Sequence, residues 1–237
     1  METKLVRIAE ISATTKHPIF TSVYHLINED MLKQCHKELD GSKAVGIDKV
    51  TKDEYGKNLD RNIKDLVQRL KNKSFKPLPS LRVYIPKANG KKRPLGIASY
   101  EDKIVQMAVK KILGAIYEPR FLNCMYGFRL NRGCHEAIKE VYQRISYGKI
   151  SYIVDADIKG FFDHIDHEWM MKLLEWNIQD KNLLWLIRKY LKAGIMEQGK
   201  FEPTEEGSAQ GSVMSPMLAN IYMHHVLTLW FKLVVQR

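Results

Sequence analysis

Apolar residues recur at helical spacing along most of this chain. Between Tyr55 and Leu70 they fall every three or four positions, and Thr51-Lys-Asp-Glu54 just before them is a capping-box pattern. Capping residues, apolar periodicity and helix-stopping residues together indicate several more helices. These helices are predicted over about 99–116, 134–147, 166–176, 180–194 and 215–237.

A β-hairpin is the clearest strand signal. Arg82–Pro86 alternates in the manner of a strand, and Lys92–Ile97 supplies the return strand. Asn89 and Gly90 lie between them, and both residues accept the positive φ angles of a two-residue hairpin turn. Two shorter strands are predicted, near residues 194–196 and 201–206.

The segment Ser151–Ile158 is rich in apolar residues around two aspartates, which predicts a largely buried strand. Ile153, Asp155 and Asp157 would share one face of it, because successive side chains alternate across a strand. Helices and strands are mixed along the chain without regular βαβ alternation. The expected fold class is therefore α+β rather than a doubly wound sheet.

The composition is that of a globular protein and excludes a wholly disordered chain. The 237 residues are 45% hydrophobic and 27% charged. Residues 1–27 are weakly patterned and predict a loosely packed arm. Met217–Val235 is the most apolar stretch, but Asn220, two histidines and Lys232 interrupt it, so we expect a buried helix rather than a membrane span.

The cysteines and the N-terminus indicate a cytoplasmic protein. The three cysteines, Cys35, Cys124 and Cys134, contain no CxxC pair, which argues against a disulfide scaffold or a zinc knuckle. The first 30 residues also lack the apolar segment of a secretory signal.

Positive charge is concentrated in the first part of the chain. Residues 1–150 contain 29 basic and 16 acidic side chains, whereas residues 151–237 contain 9 and 11. The densest stretch, Lys71–Arg93, has eight basic residues and no acid. A solvated charged face is the alternative, but solubility is usually served by mixed signs, so we expect phosphate contacts. The candidate nucleic-acid contacts are Lys71, Lys73, Lys76, Lys91 and Lys92.

Asp157 is the best candidate metal ligand. It ends the predicted strand and opens into a turn, and Mg²⁺ prefers hard oxygen ligands of this kind. Two such ions about 3.5–4 Å apart can activate a hydroxyl and stabilise a leaving pyrophosphate. One carboxylate does not hold two ions, so other acids must join it. Asp155 shares its face, although a structural, hydrogen-bonded carboxylate is the favoured interpretation there.

Two further sets of residues suit phosphate binding. Lys87 and Arg93 flank the predicted turn, and both can reach a triphosphate from the hairpin tip. Gln210 and Gly211 lie in a loop before an apolar helix, where a helix N-terminus attracts phosphate and glycine permits close backbone approach. An ordinary loop with a cap at Ser215 is the favoured alternative on these residues alone.

The segment Tyr126–Arg132 combines arginines with aromatic residues, which suits single-stranded nucleic acid. Arg129 and Arg132 are its candidate contacts, whereas His135 is expected only to form a hydrogen bond at a helix start. The sequence contains no Ser/His/Asp arrangement, Walker-type loop or HExxH motif, so hydrolase and P-loop functions lack support.

Taken in order, these segments resemble successive blocks of the group II intron-encoded reverse transcriptases. The similar blocks are Gly41–Thr51, Arg82–Ile97, Tyr126–Arg132, Asp157–Asp163 and Ala209–Asn220. The resemblance covers roughly residues 30–237. It implies the fingers and an incomplete palm of a right-handed polymerase, with no thumb. It predicts an N-terminal arm at 1–29, fingers at 30–150 and a partial palm at 151–237.

The resemblance also implies residue roles. Asp157 matches the first metal-binding palm aspartate, and the carbonyl of Ile158 would be a further Mg²⁺ ligand. Phe162 matches the aromatic residue that stacks under the incoming sugar and excludes a 2′-hydroxyl, whereas Phe161 is expected in the core. The residues that match nucleotide-binding positions are Lys87, Arg93, Phe162, Gln210 and Gly211. The implied partners are dNTPs, a DNA primer and an RNA template, including group II intron RNA.

One departure from the family is serious. The next family block is a Tyr-x-Asp-Asp hairpin with the remaining catalytic carboxylates, and this sequence contains no such tetrad. We therefore expect a truncated or split form that is inactive alone, or one completed by a second polypeptide carrying the rest of the palm and the thumb. The alternatives are a non-catalytic, maturase-type module that binds intron RNA and a decayed remnant that folds poorly.

Overall fold

The computed structural model describes residues 2–86 and 90–236, and it has the expected α+β class. Its α-helices are α1 (Glu2–Thr14), α2 (Glu29–Glu38), α3 (Lys52–Gly56), α4 (Leu59–Lys71), α5 (Tyr100–Tyr117), α6 (Cys134–Tyr147), α7 (His167–Glu175), α8 (Lys181–Leu191) and α9 (Ser215–Met223). Its strands are β1 (Ser80–Pro86), β2 (Lys92–Ile97), β3 (Ile195–Glu197) and β4 (Lys200–Glu202).

The two predicted strands are confirmed as an antiparallel pair within a small four-stranded sheet, although the register of Pro86 opposite Lys92 does not fit a two-residue turn at Asn89 and Gly90. β1 and β2 pair antiparallel, with Ile85 opposite Arg93. The start of β1 pairs in parallel with β3, where Ser80 lies beside Ile195, and the strand order is β2-β1-β3-β4. Residues 87–89 of the predicted turn, which include Lys87, lie outside the described residues.

The core is organised around α5, and the N-terminal segment packs onto it. Ile8 of α1 is buried, and the Ser12 hydroxyl donates a hydrogen bond to the carbonyl of Ile116 in α5. Phe20 and Val23 are buried as well. The expectation of a loosely packed arm at residues 1–27 is therefore wrong, because most of its large apolar side chains pack into the core, although Val6 and Ile19 are about half exposed.

The predicted buried strand at residues 151–158 is also wrong. No described segment pairs with it, and Tyr152 and Val154 are each 90% exposed. A strand is stable only where its N–H and C=O groups meet those of a neighbour. Asp155 and Asp157 are consequently exposed rather than arranged on one face of a buried strand.

The π-helical segments His224–Thr228 and Phe231–Val235 continue from α9, and this last helical stretch meets the expectation of burial only in its first half. Leu218 and Ile221 of α9 are fully buried, whereas Trp230 and Leu233 further along are about half exposed. By length and composition alone, Ser215–Val235 is one helix within the described residues that could cross a membrane.

A buried carboxylate ties the base of the hairpin to the helices. Asp102 is 3% exposed and accepts hydrogen bonds from the Ser99 hydroxyl, the Leu78 N–H and the Tyr190 hydroxyl. These contacts join α5, the segment before β1 and α8. Burial raises the pKa of Asp102 to about 6, although the three hydrogen bonds favour its ionised form.

His224 is buried beside cationic groups at the end of α9. Its ring meets that of Phe121 at 5.4 Å, and within the described part of the chain its Nδ1 atom has no hydrogen-bond partner. Burial, reinforced by the charges of His225, Arg120 and Arg129, lowers the pKa of His224 to about 4. The folded protein therefore resists protonation at this position.

We expect His224 to make the protein less stable in mild acid. Between pH 6.5 and about 4 the unfolded chain binds the proton more readily than the folded one, so the free energy of unfolding falls as pH falls. Asp102 acts in the opposite direction, because its pKa is raised by folding. Urea unfolding at about pH 7 and about pH 5 should show a smaller acid loss in His224→Gln than in the wild type. Equal losses would contradict the prediction.

Candidate nucleotide-binding cleft

One cleft brings together most of the residues predicted to bind metal and nucleotide. It has a volume of about 840 Å³ and lies between β2, the turn at residues 157–163 and the loop before α9. The predicted residues that line it are Arg93, Asp157, Ile158, Phe162, Gln210 and Gly211. Lys87 lies outside the described residues, so its role stays a prediction.

Backbone contacts join the hairpin to the loop of Gln210 and Gly211. The N–H of Gly96 donates a 2.6 Å hydrogen bond to the carbonyl of Gln210. Gly211 has a φ of +103°, and a Cβ atom there would lie 3.0 Å from the carbonyl oxygen of Gly96. The close backbone approach predicted for Gly211 is therefore confirmed.

The same loop is anchored to α5 by a residue that the sequence analysis missed. Gln106 is 4% exposed, and its Oε1 atom accepts hydrogen bonds of 3.0 Å from the Ser212 hydroxyl and the Val213 N–H. A polar residue between Val105 and Met107, within an apolar stretch of the helix, was the available signal. Across the loop, the hydroxyl groups of Ser208 and Ser215 lie 2.6 Å apart.

Phe162 is held in a short 3₁₀ turn, Phe161–His164, that begins after Gly160 at a φ of +64°. Its carbonyl accepts a 2.7 Å hydrogen bond from the N–H of Ser208, which fixes the turn against the loop. Its ring meets the Phe161 ring at 5.7 Å, and Phe161 packs against the core. The ring of Phe162 thus occupies a defined position in the cleft.

Phe128 and Lys110 also line the cleft, and sequence reasoning singled out neither of them. The Phe128 ring packs edge-on against Phe162, with centroids 6.3 Å apart, although its side chain is largely exposed. Phe128 lies in the Tyr126–Arg132 segment, so the aromatic character of that segment was the available signal. Lys110 adds a cation from α5 to the one that Arg93 supplies.

Asp157 offers an exposed carboxylate at the cleft, and Asp163 is a second acid there. Carboxylate and carbonyl oxygens suit Mg²⁺, so Asp157 and Ile158 fit this ion by donor type. However, the described residues contain no group of three or more His, Cys, Asp or Glu side chains that could hold a metal ion. The donors present are therefore of the right kind but too few for two ions.

Arg129 has a structural role in the fold. Its guanidinium forms a 2.9 Å ion pair with Glu118 and donates to the carbonyls of Leu122 and Met125. Its side chain is only 8% exposed, which leaves little of it for an RNA phosphate. Arg132 is more open, although it donates hydrogen bonds to Asn123. RNA contact by either arginine stays a prediction.

The predicted RNA-binding lysines are all exposed, but they are not all near the cleft. Lys91 and Lys92 lie at the tip of the hairpin beside Arg93, whereas Lys71, Lys73 and Lys76 lie before its base. Phe75, between them, is 1% exposed and belongs to the core. It is therefore not available as an aromatic platform for bases.

Comparison with known proteins identifies the class. Residues 85–235 match the family described as "Reverse transcriptase (RNA-dependent DNA polymerase)", and the match covers more than half of the chain. The chain therefore belongs to the reverse transcriptase family, which confirms the resemblance found in the sequence motifs.

Two similar proteins come from introns. The chain is 38% identical over 224 residues to the group II intron-encoded protein LtrA of Lactococcus lactis subsp. cremoris, covering 94% of this chain and 37% of LtrA. It is 37% identical over 204 residues to an uncharacterized 91 kDa protein in the cob intron of Schizosaccharomyces pombe, covering 85% of this chain and 25% of that protein. The chain thus spans well under half of the length of these two relatives.

A solved structure is similar in fold. A chain of a partial Cas6-RT-Cas1–Cas2 complex superposes with a TM-score of 0.54 at 20% identity, covering 84% of this chain and 33% of that chain. This similarity supports the reverse-transcriptase-like fold of the protein.

Proposed function

We propose that this chain forms the fingers and part of the palm of a group II intron-type RNA-directed DNA polymerase. The observation that carries the proposal is the single cleft shared by Arg93, Asp157, Phe162, Gln210 and Gly211. The reaction is attack of a primer 3′-hydroxyl on the α-phosphate of a dNTP paired with an RNA template, with pyrophosphate leaving.

Different residues of the cleft would bind different parts of the nucleotide. Arg93 and Lys110 supply positive charge for the triphosphate, and Arg93 can donate two parallel hydrogen bonds to it. The Phe162 ring, against which Phe128 packs, would stack beneath the sugar and obstruct a 2′-hydroxyl. The loop at Gln210 and Gly211, which lines the same cleft, would contact the base pair of the nucleotide and template.

The Asp157 carboxylate and the Ile158 carbonyl would hold Mg²⁺, which supplies activation of the hydroxyl and stabilisation of the leaving pyrophosphate. Because the 237 residues contain no Tyr-x-Asp-Asp tetrad, the further carboxylates for a second ion would come from additional polypeptide. We propose that the chain is inactive in extension without them.

Primer extension on an RNA template tests this function. Residues 1–237 alone should extend no primer, whereas a fusion to the part of LtrA that follows the matched region should extend it in a Mg²⁺-dependent manner. Extension by the unfused chain would refute the need for further carboxylates. A folded fusion that neither binds dNTPs nor extends a primer would refute the polymerase function.

A maturase-type module that binds intron RNA without catalysis is the second candidate. The exposed Lys71, Lys73, Lys76, Lys91 and Lys92 favour it, because RNA binding by these lysines does not depend on a complete metal site. RNA affinity should then fall steeply with salt, and neutral variants of Lys71, Lys73, Lys76, Lys91 and Lys92 should blunt that fall. RNA binding by a fusion that fails to extend primers would favour this candidate over the polymerase.

A further inference from the structure

The basic stretch Lys71–Arg93 does not form one surface. The hairpin separates its basic residues along β1. Ser80 at the base is five residues from Ile85, which lies opposite Arg93 near the tip, and this is about 17 Å along a strand. Lys76 precedes this strand, whereas Lys91 and Lys92 follow it. The lysines before the base are therefore far from the lysines at the tip.

A second cleft lies at the base of the hairpin, with a volume of about 430 Å³. We call it the basal cleft. The side chains that define it come from the segment before β1 and from α8 and its end, and they are Lys76, Trp185, Arg188, Lys189 and Lys192. It shares no lining residue with the nucleotide-binding cleft. Pro77 and Ala193 complete the lining, so four of its seven residues are cationic.

Within the described residues only one of the four cations forms an ion pair, although Lys192 also lies within electrostatic range of Glu168. Arg188 is paired with Glu168 at 2.5 Å. Lys76, Lys189 and Lys192 form no ion pair within 4 Å in the part of the chain that the structure describes; Lys189 lies 5.3 Å from the centre of the Trp185 ring. Cations that converge on one cleft repel each other and concentrate anions there.

The two sides of the basal cleft are held together by buried contacts. Phe75, next to Lys76, packs against Tyr190 of α8 with ring centroids 6.2 Å apart. The Leu78 N–H and the Tyr190 hydroxyl both donate to the buried carboxylate of Asp102. The cations are therefore presented by a rigid part of the fold.

We propose that the basal cleft is a second RNA-binding site, which holds backbone phosphates away from the nucleotide-binding cleft. Several converging lysines suit a chain of phosphates better than a single small anion, because each lysine can meet a separate phosphate. The choice of RNA as the polyanion rests on the proposed function, in which RNA is the template.

RNA binding by matched variants of the full 237-residue chain tests the inference. The basal variant carries Lys76→Gln, Lys189→Gln and Lys192→Gln, and the tip variant carries Lys91→Gln and Lys92→Gln. The control carries Lys172→Gln, Lys181→Gln and Lys200→Gln, three exposed lysines that line neither cleft. It removes the same charge, and Lys172 also lies over a tryptophan, Trp169, at 4.6 Å. Fluorescence anisotropy with a labelled single-stranded RNA is measured over a series of KCl concentrations.

The basal variant should bind RNA at least about fivefold more weakly than the control, with a salt slope shallower by about 2 because three phosphate contacts are lost. The tip variant should retain the part of the RNA affinity that the basal cleft contributes. If the basal and control variants bind RNA with equal affinity and equal salt slope while the wild type still binds RNA, the inference is overturned. The proposed function is then unaffected. A wild type without RNA affinity would overturn the inference and the proposed function together. Binding of phosphatidylserine vesicles that the basal variant loses, without any effect on RNA, would assign the cleft to membranes and overturn it.

Discussion

Replacing Asp157 by asparagine should abolish primer extension by the LtrA fusion while leaving its affinity for RNA within about twofold. Asparagine keeps the size of the side chain but removes the negative charge that a Mg²⁺ ligand needs. Loss of a residue that only orients a metal ligand already costs about 10- to 100-fold, so loss of the ligand itself should exceed about 100-fold. Single-nucleotide extension and RNA anisotropy are the two measurements.

Asp155→Asn is the matched control for this experiment. Asp155 lies two residues away in the same exposed segment and is not among the residues that line the cleft. It should therefore extend primers at close to the wild-type rate. Full activity of Asp157→Asn would remove Asp157 from the metal site, and equal inactivity of both variants would indicate that the segment matters through its folding.

Features set by neighbours in the chain were predictable from the sequence. The side chains of Thr51, Asp166 and Asp180 each accept a backbone hydrogen bond at the start of a helix, as their patterns indicate. The hairpin at β1 and β2 also follows from local signals. Only two or three residues decide each of these structures, so a single sequence contains enough information.

Features that depend on distant partners were not predictable. Ser151–Ile158 has the pattern of a strand, but pairing requires a second segment, and none of the described segments supplies it. Arg129 has the composition of an RNA contact, yet Glu118 and two carbonyls occupy its guanidinium. The sequence shows which groups a side chain can bind, but it does not show which of those groups lie next to it in the fold.

The distribution of charge along the sequence also fails to predict features that depend on distant partners. Residues 151–237 have more acids than bases, which argues against contact with a polyanion in that part of the chain. In the fold, Lys189 and Lys192 from that part join Lys76 from the first part at the basal cleft. A net charge summed along the sequence averages out such a local concentration. The candidate RNA surface is therefore a property of the fold.

The second large effect that we expect is loss of stability when Gly207 is replaced by alanine. Gly207 has a φ of +85°, and a Cβ atom there would lie 2.7 Å from the carbonyl oxygen of Asp163. Its N–H donates a 2.8 Å hydrogen bond to the carbonyl of Ile165, and its carbonyl accepts one from buried His167. The added Cβ atom would overlap backbone that these hydrogen bonds hold in place. The turn that carries Phe162 must therefore move.

Gly199→Ala separates this overlap from the cost of the backbone conformation. Gly199 has a similar φ of +79°, but a Cβ atom there would meet nothing within 4 Å. Urea unfolding should show a loss of about 1 kcal/mol for Gly199→Ala, the cost of a left-handed residue with a Cβ. Gly207→Ala should lose about 3 kcal/mol, because overpacking against fixed backbone adds about 2 kcal/mol. Equal losses in the two variants would show that the turn of Phe162 yields freely, and its position in the cleft would then not depend on Gly207.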